Sequence, residues 1–519
     1  MRRSPRRVLA RSTVPTRVAR PVGPTDHVDV LVVGAGISGI GAAWHLLTET
    51  RRSFAVVEAR HEIGGTWDLF RYPGVRSDSD LYTFGFDFRP WEDDDAIASG
   101  EKIRDYLHAT VADEGLRPFM QFHSRVVRAE WSTPDARWTV TVEDSRTGEV
   151  RVQTAGWIFA GTGYYRYEEG FTPNFTGLDA FTGQVIHPQH WPEDVTAESL
   201  AGKKVLVIGS GATAVTLVPA LADGGAEVTM LQRTPTYVMP LPARDGFGVA
   251  AKKLLGVERG TVVTRYKSAL VQRLSWAACR RWPAQAKKAI RAAQRKVAGD
   301  DVVLSPHFDP PYDPWDQRLC VAPDGDFFTT LREGRARVVT DEVDAFTRTG
   351  VRTKGGEHLE ADVVVTATGF TVQPFGAIET LVDGEKFELT DHVAYRGLML
   401  DGLPNFAFSI GYTNASWTLK VGLLCDYFVD LLRHMEVGGF DWVRPDLPAD
   451  DGPDAVGRRP LLDFGAGYVQ RSLDALPSQG DRAPWLMTMN WFADRRLLRR
   501  GDVDDSNLTF GRRASGGQV

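Results

Sequence analysis

The apolar positions of the chain fall into two matching arrangements. From Val28 an almost uninterrupted apolar run, "VDVLVV", enters a glycine-rich turn, then a helical stretch through Trp44 and Leu47, then a second apolar run, "FAVVEAR". The same order returns from Lys204 as "KVLVIG", a second glycine turn, "AVTLVPALA" and "EVTMLQRTP". Runs this apolar read as strands buried on both faces of a parallel sheet, and the helical stretches between them as crossovers. Strict alternation occurs in "RWTVTVEDSRTGEVRVQ", which predicts a hairpin turning at Thr147-Gly148. Two more strands, in "WIFAGTGYY" and "VVVTATGF", run into Gly161 and Gly369.

The turns carry the first chemistry. The upstream one is Gly34-x-Gly36-x-x-Gly39, and the downstream one has Gly209, Gly211 and, at the third position, Ala214. In a strand-turn-helix-strand unit the first glycine allows the tight turn, the second lets the backbone approach a pyrophosphate and the third packs helix on strand. The expected fold class is therefore α/β with two dinucleotide-binding, Rossmann-like domains. One charge distinguishes the two units. Glu58 ends the second strand of the first unit, where a carboxylate suits ribose hydroxyls, while Arg233, followed by Thr234, holds that place in the second and suits a 2'-phosphate. An acid in one unit and a base in the other predict FAD and NADPH as cofactors.

Composition narrows the class without adding a site. At 519 residues, 43% hydrophobic and 25% charged, the chain is long enough for two or three domains, each with a core. A net charge of -6 gives no overall attraction to nucleic acid, and no apolar run approaches the roughly 20 residues that span a bilayer, so the expected location is the cytoplasm. Cys279, Cys320 and Cys425 are too far apart for a redox pair or a thiolate metal cluster, and no metal is expected. Seven arginines and no acid occupy the first 25 residues, without the apolar stretch of a secretory signal, which reads as a disordered basic arm or an overextended start.

The stretch after the first unit, "GGTWDLFRYPGVRSDSD", has no cysteine, so electrons from NADPH have no protein disulfide to reach, and oxygen or a bound substrate is left as acceptor. "FTGQVIHPQHWPED", residues 181–194, lies between the two glycine units with neither the alternation of a strand nor the spacing of a helix. Its Phe181, Gly183, His187, Trp191 and Pro192 match the FxGxxxHxxxWP fingerprint of class B flavoprotein monooxygenases. Gly-Gly-Thr66-Trp67, then Tyr-Pro-Gly, then Asp78 matches a second fingerprint, of the Baeyer-Villiger branch. With "DPWDQRLC" and "GYTNASWTLK", the chain resembles that branch from about residue 27 to 512, close to its thioamide-activating subfamily.

The resemblance implies an architecture. A basic arm would fill 1–26, an FAD domain 27–165 and 365–511, a fingerprint linker 166–200, an NADPH domain 201–364 with a helical insertion at about 245–300, and a tail 512–519. It also implies a reaction, in which hydride passes from NADPH to the flavin, oxygen adds at the flavin C4a carbon, and a ketone becomes an ester or lactone, with sulfides or thioamides as further substrates. Arg318 stands at the position of the family's active-site cation, Asp78 at that of the carboxylate orienting it, and Asp80 two residues on is the competing choice. Thr66 and Trp67 fall among the cofactor-binding positions, and His187 with Trp191 couples cofactor binding to domain movement. One departure stands out: many relatives have Lys just before the active-site Arg, and this chain has Gln317, which leaves NADPH selectivity to Arg233 and Thr234. Two alternatives stay open, a heteroatom oxygenase acting on sulfur or nitrogen and a flavin-based redox sensor that has lost turnover. The insertion is rich in Lys and Arg, interleaved with Leu270, Leu274, Trp276 and Trp282, and reads either as a solvated roof over the pocket or as a peripheral contact with an anionic membrane.

Overall fold

The computed structural model describes residues 21–300, 302–448, 456–462, 464–499 and 501–514, so most of the basic arm and the last five residues lie outside it. Each glycine unit nucleates its own sheet. In the first, Val28–Val33 lies between Phe54–Val57 and Val150–Ala160, parallel to both, and Met120–Gln121 extends the row beyond Phe54–Val57. On the other side the hairpin expected from the alternating stretch pairs Arg137–Asp144 with residues 150–155 of the long strand, and Ser124–Ser132 adds antiparallel to it. Its turn spans Thr147 and Gly148, the latter at φ +73°.

Three strands from the far end of the chain complete this nine-stranded sheet: Glu379–Val382 pairs parallel with Ser124–Ser132 and antiparallel with Glu385–Lys386, and Phe406–Phe408 pairs parallel with Val150–Ala160. Asn405 fixes the latter junction. Its side chain is fully buried, donates to the carbonyls of Gly156 and Asp441 at 2.9 and 3.0 Å, and accepts from Val443 N at 2.9 Å. Three bonds at φ +47°, a region asparagine tolerates better than most residues, explain why this residue occupies the corner.

The second sheet has five strands, all parallel: Ala336–Thr340, Glu227–Gln232, Lys204–Ile208, Val363–Thr366 and Gln184–Ile186. The last of these differs from the sequence reading, which found no strand in residues 181–194. Three residues at a sheet edge are too few for a two-residue period to show, and the pairing of Val185 with Val364 supplies what local pattern lacks. Three helices, Gly246–Leu255, Val257–Arg281 and Pro283–Ala298, form the insertion.

The helix Ile37–Glu49 packs against Trp417–Gly438, and where they meet, His45 Nε2 stands 3.6 Å from Asp426. Burial opposes charging His45, but Asp426 and the Gly41 carbonyl outweigh it and raise its pKa. A raised histidine contributes stability that is full below its unfolded value, about 6.5, and is lost as pH rises through the folded value. The melting temperature of His45→Gln, relative to the parent, should therefore be most reduced below pH 6 and converge with it above neutrality. A constant difference between pH 5 and 8 would refute the assignment.

Candidate active site

A cavity of about 600 Å³ runs from the first glycine turn to the second. Its wall holds Gly34, Gly36, Glu58, Thr66 and Trp67 from the first unit and Ala212, Thr213 and Phe370 beside the second, together with Asp78, Tyr164, Arg318 and Trp417. The volume lies within the range of cofactor sites.

The first turn fits a dinucleotide. A Cβ on Gly39 would overlap the Gly34 carbonyl oxygen, so the helix can begin this close to the strand only without a side chain there. The helix Ile37–Glu49 starts at Gly36 with no side-chain cap and no acid in its first turn, which leaves backbone N–H groups for a phosphate. Glu58 is buried, and its two carboxylate oxygens accept from Ala35 N at 2.7 Å and Arg60 N at 2.9 Å. Burial raises its pKa against those two bonds. The carboxylate thus braces the turn while lining the cavity. The second turn repeats the design with an uncapped helix Ala212–Asp223 starting at Gly211, a buried Ala214, and a Ser210 hydroxyl that donates to the Thr234 carbonyl at 2.8 Å. Arg233 is exposed at the strand end.

Arg318 and Asp78, 240 residues apart, meet in two contacts, Nη2 to Oδ1 at 2.8 Å and Nε to Oδ2 at 2.7 Å. The strand Cys320–Pro323, paired parallel with Val238–Leu241, anchors the arginine, and Asp78 comes from the irregular stretch before the helical turn Leu81–Phe84. About a third of each side chain is open, and both line the cavity. Burial works against the guanidinium charge, but Asp78 and the phenols of Tyr164, Tyr468 and Tyr165 overcome it, so its pKa is raised. A side-on fork of this kind leaves N–H groups free while fixing the plane of the cation.

Asp80 does something else. It caps Leu81–Phe84, accepting from Tyr82 N at 2.7 Å, and burial raises its pKa against a bond from Ser268. Thr66 opens the short helix Thr66–Leu69, and Trp67 packs edge-on against Phe84 at 5.7 Å. In the fingerprint segment the ring of His187 lies so close to Gly170 that a Cβ there would overlap it, and burial lowers the His187 pKa. Trp191 is buried with its Nε1 donating to the Val195 carbonyl at 2.6 Å, Phe181 packs on Phe346, and Gly183 leaves room for the Asp362 carbonyl. The fingerprint residues therefore sit beside the second sheet, and none of them lines the cavity that holds the Arg318 pair.

Several cavity residues stand in stretches quoted from the sequence, but no role for them followed from it. Trp417 donates from Nε1 to Ser38 Oγ at 2.9 Å and stacks on Tyr164, whose hydroxyl is 2.9 Å from that of Tyr165. The repeated tyrosines of "GTGYY" were visible, but nothing in the sequence indicated that Tyr468 joins them.

The flavin-binding monooxygenase-like family model matches residues 27–282. The chain is 47% identical over 491 residues to the FAD-containing monooxygenase EthA of Mycobacterium tuberculosis, covering 94% of this chain and 99% of that protein. It is 44% identical over 487 residues to the probable FAD-binding monooxygenase AlmA of Acinetobacter baylyi, covering 93% and 96%. Among solved structures, an oxidized steroid monooxygenase bound to NADP superposes with a TM-score of 0.72 at 22% identity, covering 94% of this chain and all of that one. An open cyclohexanone monooxygenase gives 0.70 at 22% identity over the same shares.

Proposed function

The chain belongs to the flavin-binding monooxygenase-like family, and from that premise we propose that it is an NADPH- and O2-dependent FAD enzyme that inserts oxygen beside a ketone carbonyl and also oxidises sulfur. The observation that carries the reading is the forked Arg318–Asp78 pair on the wall of a cavity reaching both glycine turns. Bound FAD would supply the redox chemistry that links NADPH to oxygen. Glu58, Gly36 and the uncapped helix would hold it, with Thr66 and Trp67 beside it; Arg233 and Thr234 would hold the 2'-phosphate of NADPH.

The chain's own contribution is electrostatic and steric. Arg318 presents a permanent cation where negative charge develops as an oxygen adds to a carbonyl, and in a site walled by Tyr164, Trp417 and Phe370 that charge acts with little screening. Asp78 keeps the guanidinium plane fixed, so no reorganisation is needed when charge appears. His187 and Trp191, at the edge strand of the second sheet, would transmit nucleotide binding to the movement of one sheet against the other. The domain limits proposed from the sequence place the insertion 245–300 inside the NADPH unit.

Purified enzyme supplied with NADPH and a panel of aryl and aliphatic ketones tests the reading. Ester formed in step with NADPH supports it. Sulfoxide formed from sulfides, with no ester from any ketone between pH 6 and 9, would favour the heteroatom oxygenase instead, since carbonyl attack needs a nucleophilic oxygen and sulfur oxidation an electrophilic one.

No helix among the described residues is long and apolar enough to cross a membrane, but the helix Val257–Arg281 supports a peripheral contact. Its inward face is polar: Thr261, Thr264, Arg265 and Ser268 are buried, and Arg265 donates to the carbonyls of Tyr82, Thr83 and Gly85. Its outward face exposes Val263, Tyr266, Leu270, Val271 and Leu274, the reverse of a water-facing helix. Lys253, Arg259 and Arg281 are exposed on this helix and the one before it, while Arg280 pairs with Asp316, and this basic balance favours an anionic lipid surface over a second, equally basic copy of the chain. The protein should cosediment with phosphatidylglycerol vesicles at low salt, and a Leu270→Asp, Leu274→Asp variant should bind at least about tenfold less. No cosedimentation, or self-association in its place, removes the lipid reading.

A further inference from the structure

The missing lysine at position 317 raises the question of what balances the charge of a nucleotide phosphate near the second turn. Gln317 lies beside Gly465, whose N–H donates to the Asp316 carbonyl. From there the chain makes one helical turn, Gly467–Gln470, which ends at Arg471. That turn faces two ways. Tyr468 joins the phenols around Arg318, while the guanidinium of Arg471 sits over the Phe171 ring, its carbon 3.6 Å from the centroid.

Stacking holds the cation by its face and leaves the N–H groups around its edge free. One of those edges, Nη2, comes within 3.7 Å of the Cβ position on Gly369, just past the strand Val363–Thr366 that flanks the second glycine turn. Among the described residues no carboxylate or carbonyl accepts from the Arg471 side chain, and none accepts from Arg233. Their charges are close enough that Arg233, after burial, is the second cause lowering the Arg471 pKa. Glu342, the acid that senses Arg233, is already held by Lys354 at 2.6 Å. Two guanidinium groups thus lie near enough to repel each other, and among the described residues no carboxylate pairs with either.

We propose that Arg471 is a specificity-determining residue that, with Arg233, binds the 2'-phosphate of NADPH and takes the place of the lysine absent at Gln317. The assignment rests on the proposed NADPH dependence, and a dianionic phosphate is the ligand two uncompensated arginines favour. Because Arg471 comes from the C-terminal half of the chain and Arg233 from the inserted unit, the phosphate would also tie the two together.

Calorimetric titration of the FAD-loaded protein with NADP+ and NAD+ tests this without turnover. In Arg471→Gln the Kd for NADP+ should rise about tenfold while that for NAD+ stays within twofold, and Arg471→Lys should lie between. An equal loss for both nucleotides would make Arg471 a strut between the two units, and unchanged discrimination would exclude it from the site; either result overturns the proposal. If the parent protein itself does not distinguish NADP+ from NAD+, the NADPH assignment fails first, at Arg233.

Discussion

Replacing Arg318 with Ala is expected to lower ester formed per NADPH at least about 100-fold while flavin content and NADPH binding persist. The size follows from geometry. The guanidinium is held by two short contacts to Asp78 on the cavity wall, so its loss removes the cation and also leaves a carboxylate facing the reacting centre. The variant carries the wrong sign of charge where the parent carries the right one. Arg318→Lys should recover little, because an ammonium cannot keep both contacts to Asp78 and present a fixed edge to the cavity. Product and NADPH quantified together decide the matter, and a variant that keeps its yield of ester per NADPH would exclude Arg318 from oxygen transfer.

The second large effect is on stability. Lys420 and Asp494 are almost fully buried and 2.7 Å apart, and the same carboxylate accepts from Tyr412 at 2.6 Å and Thr488 at 2.5 Å. Removing the acid strands an ammonium in the core, so Asp494→Ala should cost about 3–5 kcal/mol in urea denaturation. Lys420→Met combined with Asp494→Leu should regain much of it, because two apolar residues need no partner. A loss below about 1 kcal/mol for the single variant would mean that the ammonium finds water or another acceptor. Tyr412 lines the cavity, so the charge pair also steadies one wall of the site.

What the sequence made legible were features confined to short windows. Gly34, Gly36 and Gly39 work within one turn, and the contrast of Glu58 with Arg233 is read by counting from that turn. The meeting of Arg318 with Asp78 was legible only through motif resemblance, because no local period relates residues 240 positions apart. Asp80 shows the limit of such matching: two acids in "RSDSD" are equivalent on paper, and only the helical turn after them makes one a cap. The insertion shows another, since its basic and apolar residues are interleaved in the sequence and only the fold turns the polar face of Val257–Arg281 inward. Lys420 closes the motif "GYTNASWTLK", but nothing in the sequence pointed from it to Asp494, 74 residues on. Arg471 was equally silent, for it acts through a ring and a glycine contributed by two other segments.

The strand Phe406–Phe408 and its corner residue Asn405 set a schedule for biosynthesis. Asn405 bonds to Gly156, 249 residues earlier, across the whole inserted unit. At roughly 5–20 residues per second, the first sheet waits on the order of 10–50 s on the ribosome before its partner strand exists. During that interval the apolar edge of Val150–Ala160 beyond its hairpin partner is uncovered, while all five strands of the second sheet, the last ending at Thr366, are already made. The inserted unit can fold first, and the unit enclosing it is the one exposed to misassembly on the nascent chain.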